Sequence, residues 1–183
     1  MRLPIYQIIS GILLAGIIHI TIILLIPTLA SQDAWSKLVA IGPQWHFTRL
    51  NNADENGSGV LAGTDPMFQT SACRFSLAES PVFIETTGNL PFWSVAVFDR
   101  YGKNVYSFND RTAIDQQLNL LILNSVQMSI LREDPPASVE QSIVVETQIN
   151  EGFVLVRALQ PDNSWAPAID AFLDNASCKK FKF

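Results

Sequence analysis

Asp99, Arg100, Asn109, Asp110 and Arg111 are the residues whose types and spacing most invite a chemical reading. Acids, guanidiniums and an amide meeting in one place would make a catalytic or acid-binding site. Their spacing argues otherwise. Phe92–Asp99 and Lys103–Phe108 read as two adjacent strands, with the turn at Arg100-Tyr101-Gly102. Asp99 then sits beside that turn. Asn109 and Asp110 sit at the other end of the hairpin, about six residues or ~20 Å away at strand rise. No compact site holds both groups, and the simpler expectation is that they make turn hydrogen bonds. Arg74, on an earlier strand, is a candidate to pair with an acid, and Arg111 a candidate to hold one.

Carboxylates distant in sequence that meet in space, as in a glycosidase, stay open; the other usual catalytic patterns are missing from the sequence. The histidines are His19, inside an apolar run, and His46, beside Trp45. Neither assembles a nucleophile–His–acid pattern. Ser94 lies between Trp93 and Val95 without the glycines of a nucleophile elbow. No phosphate-binding loop or dinucleotide fingerprint occurs. No metal or cofactor is expected. Trp45, Trp93 and Trp165 are candidates either for lining a sugar or lipid groove or for core packing, and packing is the reading taken.

The elements that must position these residues begin with an apolar run, Ile8–Leu29. It carries no charge and holds fourteen Ile or Leu residues. A bilayer core needs about 20 apolar residues of helix, so residues 1–30 read as a transmembrane anchor and 31–183 as a β-rich domain outside it. A cleaved signal peptide is the competing reading, since Thr28-Leu29-Ala30 has the small-x-small form of a cleavage site. Its apolar core is normally shorter, and retention of the anchor is the expectation. Arg2 precedes the run and Asp33 is the first charge after it, which places the N-terminus inside. The expected location is a single-pass inner-membrane protein with its C-terminal domain in the periplasm. Gly11, Ala15 and His19 fall on one helix face. Small residues at this spacing favour close helix–helix contact, and an ionisable side chain in a bilayer faces protein. The plainer reading is that such residues are common in membrane helices.

About 150 residues remain, enough for one domain with a proper core. The net charge is −5, which argues against nucleic acid as a partner. Only Lys179-Lys180-Phe181-Lys182-Phe183 is locally basic and aromatic. It reads as a frayed terminus, with contact to lipid headgroups as the alternative. Cys73 and Cys178 are the only cysteines. In an oxidising compartment such a pair is expected to bond, tying the last helix to an early strand for about 3–4 kcal/mol; two separate buried thiols are the alternative.

Along the domain, Ser31–Ala40 reads as a helical continuation with Trp35 near the membrane interface. Ile41–Phe47 is ambiguous between strand and loop, and Asn51–Gly63 is a polar, Gly-rich loop. Cys73–Leu77, Val82–Glu85, Phe92–Asp99 and Lys103–Phe108 read as antiparallel strands. Leu118–Leu123 is a buried strand. Ser125 has the chemistry to cap a helix running to about Arg132, stopped by Pro135-Pro136. Ser142–Gln148 and Phe153–Leu159 read as a hairpin around Asn150-Glu151-Gly152. A last helix starts at Asn163 or Ser164 with Trp165, Ile169, Phe172 and Leu173 on its apolar face. The expected fold is α+β: a mainly antiparallel, β-sandwich-like domain with two short helices.

Five pieces carry a resemblance. They are Asp65-Pro66-Met67-Phe68, Ala72-Cys73-Arg74-Phe75, Phe92-Trp93-Ser94-Val95-Ala96-Val97-Phe98-Asp99-Arg100, Asn104-Val105-Tyr106-Ser107-Phe108-Asn109-Asp110-Arg111, and Ser164-Trp165-Ala166-Pro167 with Cys178. Over roughly residues 60–180 the chain resembles the bacterial family called domain of unknown function 1254, in its short membrane-anchored form. That family carries no settled chemistry. In longer members a second β-rich domain, of unknown function 1214, follows, and short anchored forms look like the halves split between neighbouring proteins. The resemblance therefore implies a partner more than a substrate. The expected function is a membrane-anchored interaction or assembly subunit of a cell-envelope complex, binding a paralogous half-domain or other envelope protein. The alternative is an envelope enzyme or binder acting on a carbohydrate or lipid-linked substrate. A deep pocket with convergent polar groups would favour the second; a bare sheet edge or flat apolar patch would favour the first.

Overall fold

The computed structural model describes residues 5–29, 34–50, 65 and 67–183. The cleavage-site candidate ending at Ala30, the start of the helical continuation at Ser31–Asp33 and the polar stretch Asn51–Gly63 lie outside the described residues. The chain divides into two units, Met1–Asp33 and Ala34–Phe183.

The first unit is helix α1, Ile5–Leu29. Its stretch Ile5–Leu25 is long and apolar enough to cross a membrane, and none of it is buried within the chain. Thr21 hides its hydroxyl by donating to the Ile17 carbonyl at 2.8 Å, the usual way a polar side chain is tolerated in such a helix.

Among the described residues, the second unit holds nine strands. They are β1 Phe47–Leu50, β2 Phe68–Ser76, β3 Val82–Thr86, β4 Trp93–Asp99, β5 Asn104–Asn109, β6 Leu118–Leu123, β7 Ile143–Glu146, β8 Glu151–Leu159 and β9 Ser177–Lys180. Three helices accompany them: α2 Ala34–Ile41, α3 Ser125–Glu133 and α4 Ala166–Asp174. A five-stranded antiparallel sheet runs β1-β2-β8-β4-β5, and a four-stranded sheet runs β7-β6-β3-β9.

Alternation builds the layers. Cys73 and Phe75 of β2, Val95 and Val97 of β4, and Val154 and Val156 of β8 meet Ile84 of β3 and Leu120 and Ile122 of β6 in one buried cluster. This shared core between two sheets makes the domain a β-sandwich-like α+β fold. Ile169, Phe172 and Leu173 of α4 join the same cluster. Buried Thr86 fixes that helix by donating its hydroxyl to the Phe172 carbonyl at 2.6 Å. Leu118–Leu123 is apolar but for half-buried Asn119, because both faces of Leu120–Leu123 are covered. Leu121 and Leu123 face Leu131 and Met128 of α3 in a second cluster. On the outer face of the larger sheet, Leu38 of α2 packs with Leu50, Ala72 and Phe153.

Helix α3 runs Ser125–Glu133, but Ser125 is not its cap. Its cap is Asn124, whose Oδ1 accepts from the Gln127 amide at 2.9 Å. The Gln127 Oε1 in turn accepts from the Asn124 amide at 2.9 Å, a reciprocal box that satisfies two end donors. Asn124→Ala should therefore destabilise the domain by about 1 kcal/mol, measured as a lowered urea midpoint with an unchanged slope.

Three expectations are corrected. Ser142–Gln148 and Phe153–Leu159 are not a hairpin. β7 pairs parallel with β6 in the smaller sheet, whereas β8 lies between β2 and β4 in the larger. Helix α3 is the cause, since a helical crossover from β6 returns the chain as a parallel neighbour. Gly152 belongs to β8 rather than to a turn. A side chain there would strike the Phe98 carbonyl. The basic tail is not frayed through Lys180: β9 pairs antiparallel with β3, and the Phe181 amide donates to the Pro81 carbonyl at 2.9 Å. Cys73 and Cys178 are bonded, with Cα atoms 6.5 Å apart. The bond therefore anchors strand β9 across the core, not helix α4 itself. The ambiguous stretch before Phe47 turns at Trp45, whose φ of +68° is a conformation L residues rarely adopt. Its amide donates to the Arg74 carbonyl at 2.9 Å, which holds the turn against β2.

Candidate functional site

Helix α2 covers only part of the outer face of the larger sheet. The remainder is open, and register places its side chains in rows. Arg157 of β8 lies opposite Ser94 of β4, and Ser94 opposite Asn109 of β5. In the next row Leu155, Ala96 and Ser107 are neighbours. A register shift between Val97 and Phe98 then bends β4 away toward its turn. One depression lies around the β4–β5 turn, and a second runs along β4 and β5 from Phe98 and Asn104 to Asn109 and Thr112.

At the turn end, Asp99 Oδ1 accepts from the amides of Tyr101 and Lys103, both at 2.9 Å, and Gly102 takes φ +81°. Arg100 pairs with Glu151 at 3.1 Å. The guanidiniums of Arg74 and Arg100 both lie over the ring of Trp35, at 5.6 and 5.8 Å. Arg74 donates through Nη2 to the Gly42 carbonyl at 2.7 Å, while its buried Nε has no partner. Burial lowers the Arg74 pKa below its ordinary value, opposed by the negative charge of Glu151. A depression of about 560 Å³ is lined here by Ser76, Asp99, Arg100, Tyr101 and Glu151. Arg100 and Glu151 are already paired there, and the arginines over Trp35 tie α2 to β2 and to the β4–β5 turn.

At the other end, Asn109 Oδ1 accepts from the Arg111 amide at 3.1 Å, and Thr112 exchanges hydrogen bonds with the Asn109 backbone at 3.1 and 3.3 Å. The following Asp115 and Gln116 take φ +51° and +56°. Asp110 keeps one buried carboxylate oxygen without a partner. A second depression, about 420 Å³, is lined by Ser94, Ala96, Ser107, Asn109, Thr112 and Arg157. Trp93 does not reach either depression. It points into the core, 1% exposed.

The structure thus separates Asp99 and Arg100 from Asn109, Asp110 and Arg111, and puts Arg74 with the former group. Gly11, Ala15 and His19 lie exposed on α1, where a Cβ on Gly11 would meet nothing within 4 Å. The sequence reads Trp35 only as a residue near the membrane interface and Glu151 only as part of a turn, and it does not single out Arg157. Arg157 alone left a signal, as a charged residue at an outward position of the β-branched run Phe153–Leu159. Trp35 and Glu151 are brought to the arginines only by the packing of α2 and β8. Among the described residues, no group of His, Cys, Asp and Glu could hold a metal ion.

A family model described as a protein of unknown function, DUF1254, matches residues 44–180. The chain belongs to the DUF1254 family. The fold of this DUF1254 chain is similar to that of the VPA0106 protein from Vibrio parahaemolyticus, with a TM-score of 0.60 and 13% identity, covering 82% of this chain and 35% of that one. An uncharacterized protein from Burkholderia cenocepacia superposes with a TM-score of 0.47 and 15% identity, over 73% of this chain and 35% of that one. The DUF1254 chain thus spans about a third of the length of each of these solved chains. No curated protein matches it significantly.

Proposed function

We propose that this DUF1254 protein is a membrane-anchored interaction subunit of the cell envelope, whose partner supplies a second β-rich half. The observation that carries this reading is the length relation. The fold recurs as 35% of a longer solved chain, so a domain of this kind occurs with additional protein attached to it. Three features support the setting. Helix α1 is long enough for a bilayer. Arg2 before it and Asp33 after it favour an external domain. The Cys73–Cys178 bond fits an oxidising compartment such as the periplasm.

An edge supports the contact. Strands β1, β7 and β9 at the other sheet edges have four residues each and carry Arg49, Glu146, or Lys179 and Lys180. Strand β5 has six residues, without charge or proline. Short strands and charges are the usual protection of an edge, and β5 lacks both.

The test is affinity purification of the intact protein in mild detergent. A partner should co-purify, and Gly11→Leu or Ala15→Leu should reduce its recovery without unfolding the β domain, because a close helix contact leaves no room for bulk. His19→Leu should do less harm if His19 only fills space, and more if it hydrogen-bonds across the contact, by about 0.6–2 kcal/mol. Recovery of the protein alone, or undiminished partner recovery in these variants, would refute a helix-mediated complex.

A further inference from the structure

We propose that the depression around Arg157 binds a small ligand carrying one anionic group, a carboxylate or a phosphate, on a polyhydroxylated ring. The arginines separate this place from the rest of the surface. Arg49 is spent on Asp170 and Asp174, Arg100 on Glu151 and Arg132 on Glu146. Arg74 is bonded to the Gly42 carbonyl. Arg157 has no carboxylate partner among the described residues; its guanidinium lies over the ring of Phe68, at 5.6 Å. Phe68 is braced edge-on by Phe92, centroid to centroid 6.2 Å. The guanidinium is thus oriented before any ligand arrives, which lowers the ordering cost of binding. Its planar fork suits carboxylate and phosphate alike. Arg111, two residues past Asn109, is likewise without a carboxylate partner among the described residues. Among the described residues, Arg157 and Arg111 are thus the arginines left with neither an acid nor a carbonyl, while Asp110 at the same end keeps one buried carboxylate oxygen unpartnered.

The lining supplies the second half of the recognition. Among the described residues the hydroxyls of Ser94 and Ser107 make no hydrogen bond, and Asn109 uses its Oδ1 in the turn while its Nδ2 makes none. Ala96 contributes only a methyl group between them, so the floor is low. Arg157 and Asn109 lie two strands apart in one row, about 10 Å at ordinary strand spacing, which suits one sugar ring with its substituents. The volume, about 420 Å³, falls within the range of small-ligand sites. Hydroxyls and amides facing such a ring, with a guanidinium at the margin, select an acidic or phosphorylated sugar over an apolar molecule.

The test uses the full chain in detergent, titrated calorimetrically with galacturonate, glucose 6-phosphate, methyl galactoside, acetate and inorganic phosphate. Galacturonate or glucose 6-phosphate should bind saturably, and whichever binds tighter identifies the anion. The neutral sugar and the simple anions should bind at least about tenfold more weakly. Arg157→Gln should weaken the sugar acid or sugar phosphate about tenfold or more, Arg157→Lys less, because the point charge remains and the fork is lost. Ser94→Ala should cost about threefold. The melting temperature of each variant, expected to be unchanged because these side chains are exposed or half-buried, guards against misfolding. The proposal is overturned if neither charged sugar saturates, if a simple anion binds as well as the sugar that carries it, or if folded Arg157→Gln binds like the parent. The partner reading is tested at α1 and this site at Arg157, so the two fail separately.

Discussion

Cys178→Ser should lower the stability of the β domain by about 3–5 kcal/mol, the range for losing a native cross-link in a domain of this kind. For a domain of this size that corresponds to about 10–15 °C in melting temperature. The size of the effect follows from where the bond sits. Cys73 and Cys178 are 105 residues apart in sequence, so the bond closes a long loop in the unfolded chain. In the folded chain it joins β2 in the larger sheet to β9 in the smaller, across the common core. Strand β9 is four residues long and lies at a sheet edge, held to β3 and by surface pairs such as Lys180 with Glu79. Surface pairs are worth little, so the covalent bond dominates its retention. Calorimetry of oxidised and reduced protein measures the difference directly. Hydrogen exchange should show β9 losing protection first on reduction. Coincident melting of the two forms would refute this account.

Trp93→Ala should cost about 3–5 kcal/mol, the usual price of emptying a large aromatic site in a core. Trp93 is 1% exposed. Phe108 meets it edge-on at 5.9 Å, and Phe172 lies tilted against it at 5.9 Å. It therefore links β5 and α4 through β4. Trp93→Phe should cost less, since much of the volume survives. Denaturant titration reads both, and the comparison bears on the family motif in which Trp93 occurs. A residue kept for ligand contact would lose binding with little loss of stability. A fall below about 1 kcal/mol for Trp93→Ala would show that the site relaxes and that packing is not its main role.

The β4–β5 hairpin was legible because its information is local. Gly102 permits the turn, Asp99 closes it by accepting two amides, and the flanking residues alternate. The same holds for Leu118–Leu123 and for the apolar face of α4. The Asn150-Glu151-Gly152 stretch misled for an instructive reason. Turn-forming residues mark where a chain changes direction, but they do not say whether it returns to the strand it left. Here the chain passes between sheets, with the Asn150 carbonyl accepting from the Leu77 amide at 2.7 Å. Strand β9 was hidden because Cys178-Lys179-Lys180 has half its pattern in charge. Its lysines instead reach Glu85 and Glu79.

The candidate site was legible only in part. Hairpin geometry alone separated Asp99 from Asn109. It did not place Trp35 under two arginines, because that contact joins residues far apart in the chain through α2. Nor did it bring Arg157 beside Ser94 and Asn109, because β8 enters the sheet between β2 and β4 only after the rest of the larger sheet has been laid down in sequence.

The sequence by itself determined the helix able to cross a membrane, the strands with strong alternation, the cysteine pair available to bond and the family. Each of these rests on composition or on periodicity within a few residues, where side-chain direction follows directly from backbone geometry. Tertiary structure alone decided which strands became neighbours, which faces stayed uncovered and which cations were left without an acid. Those outcomes depend on sheet order, and sheet order is chosen by the simultaneous burial of faces from distant segments, a free-energy balance that no single segment carries.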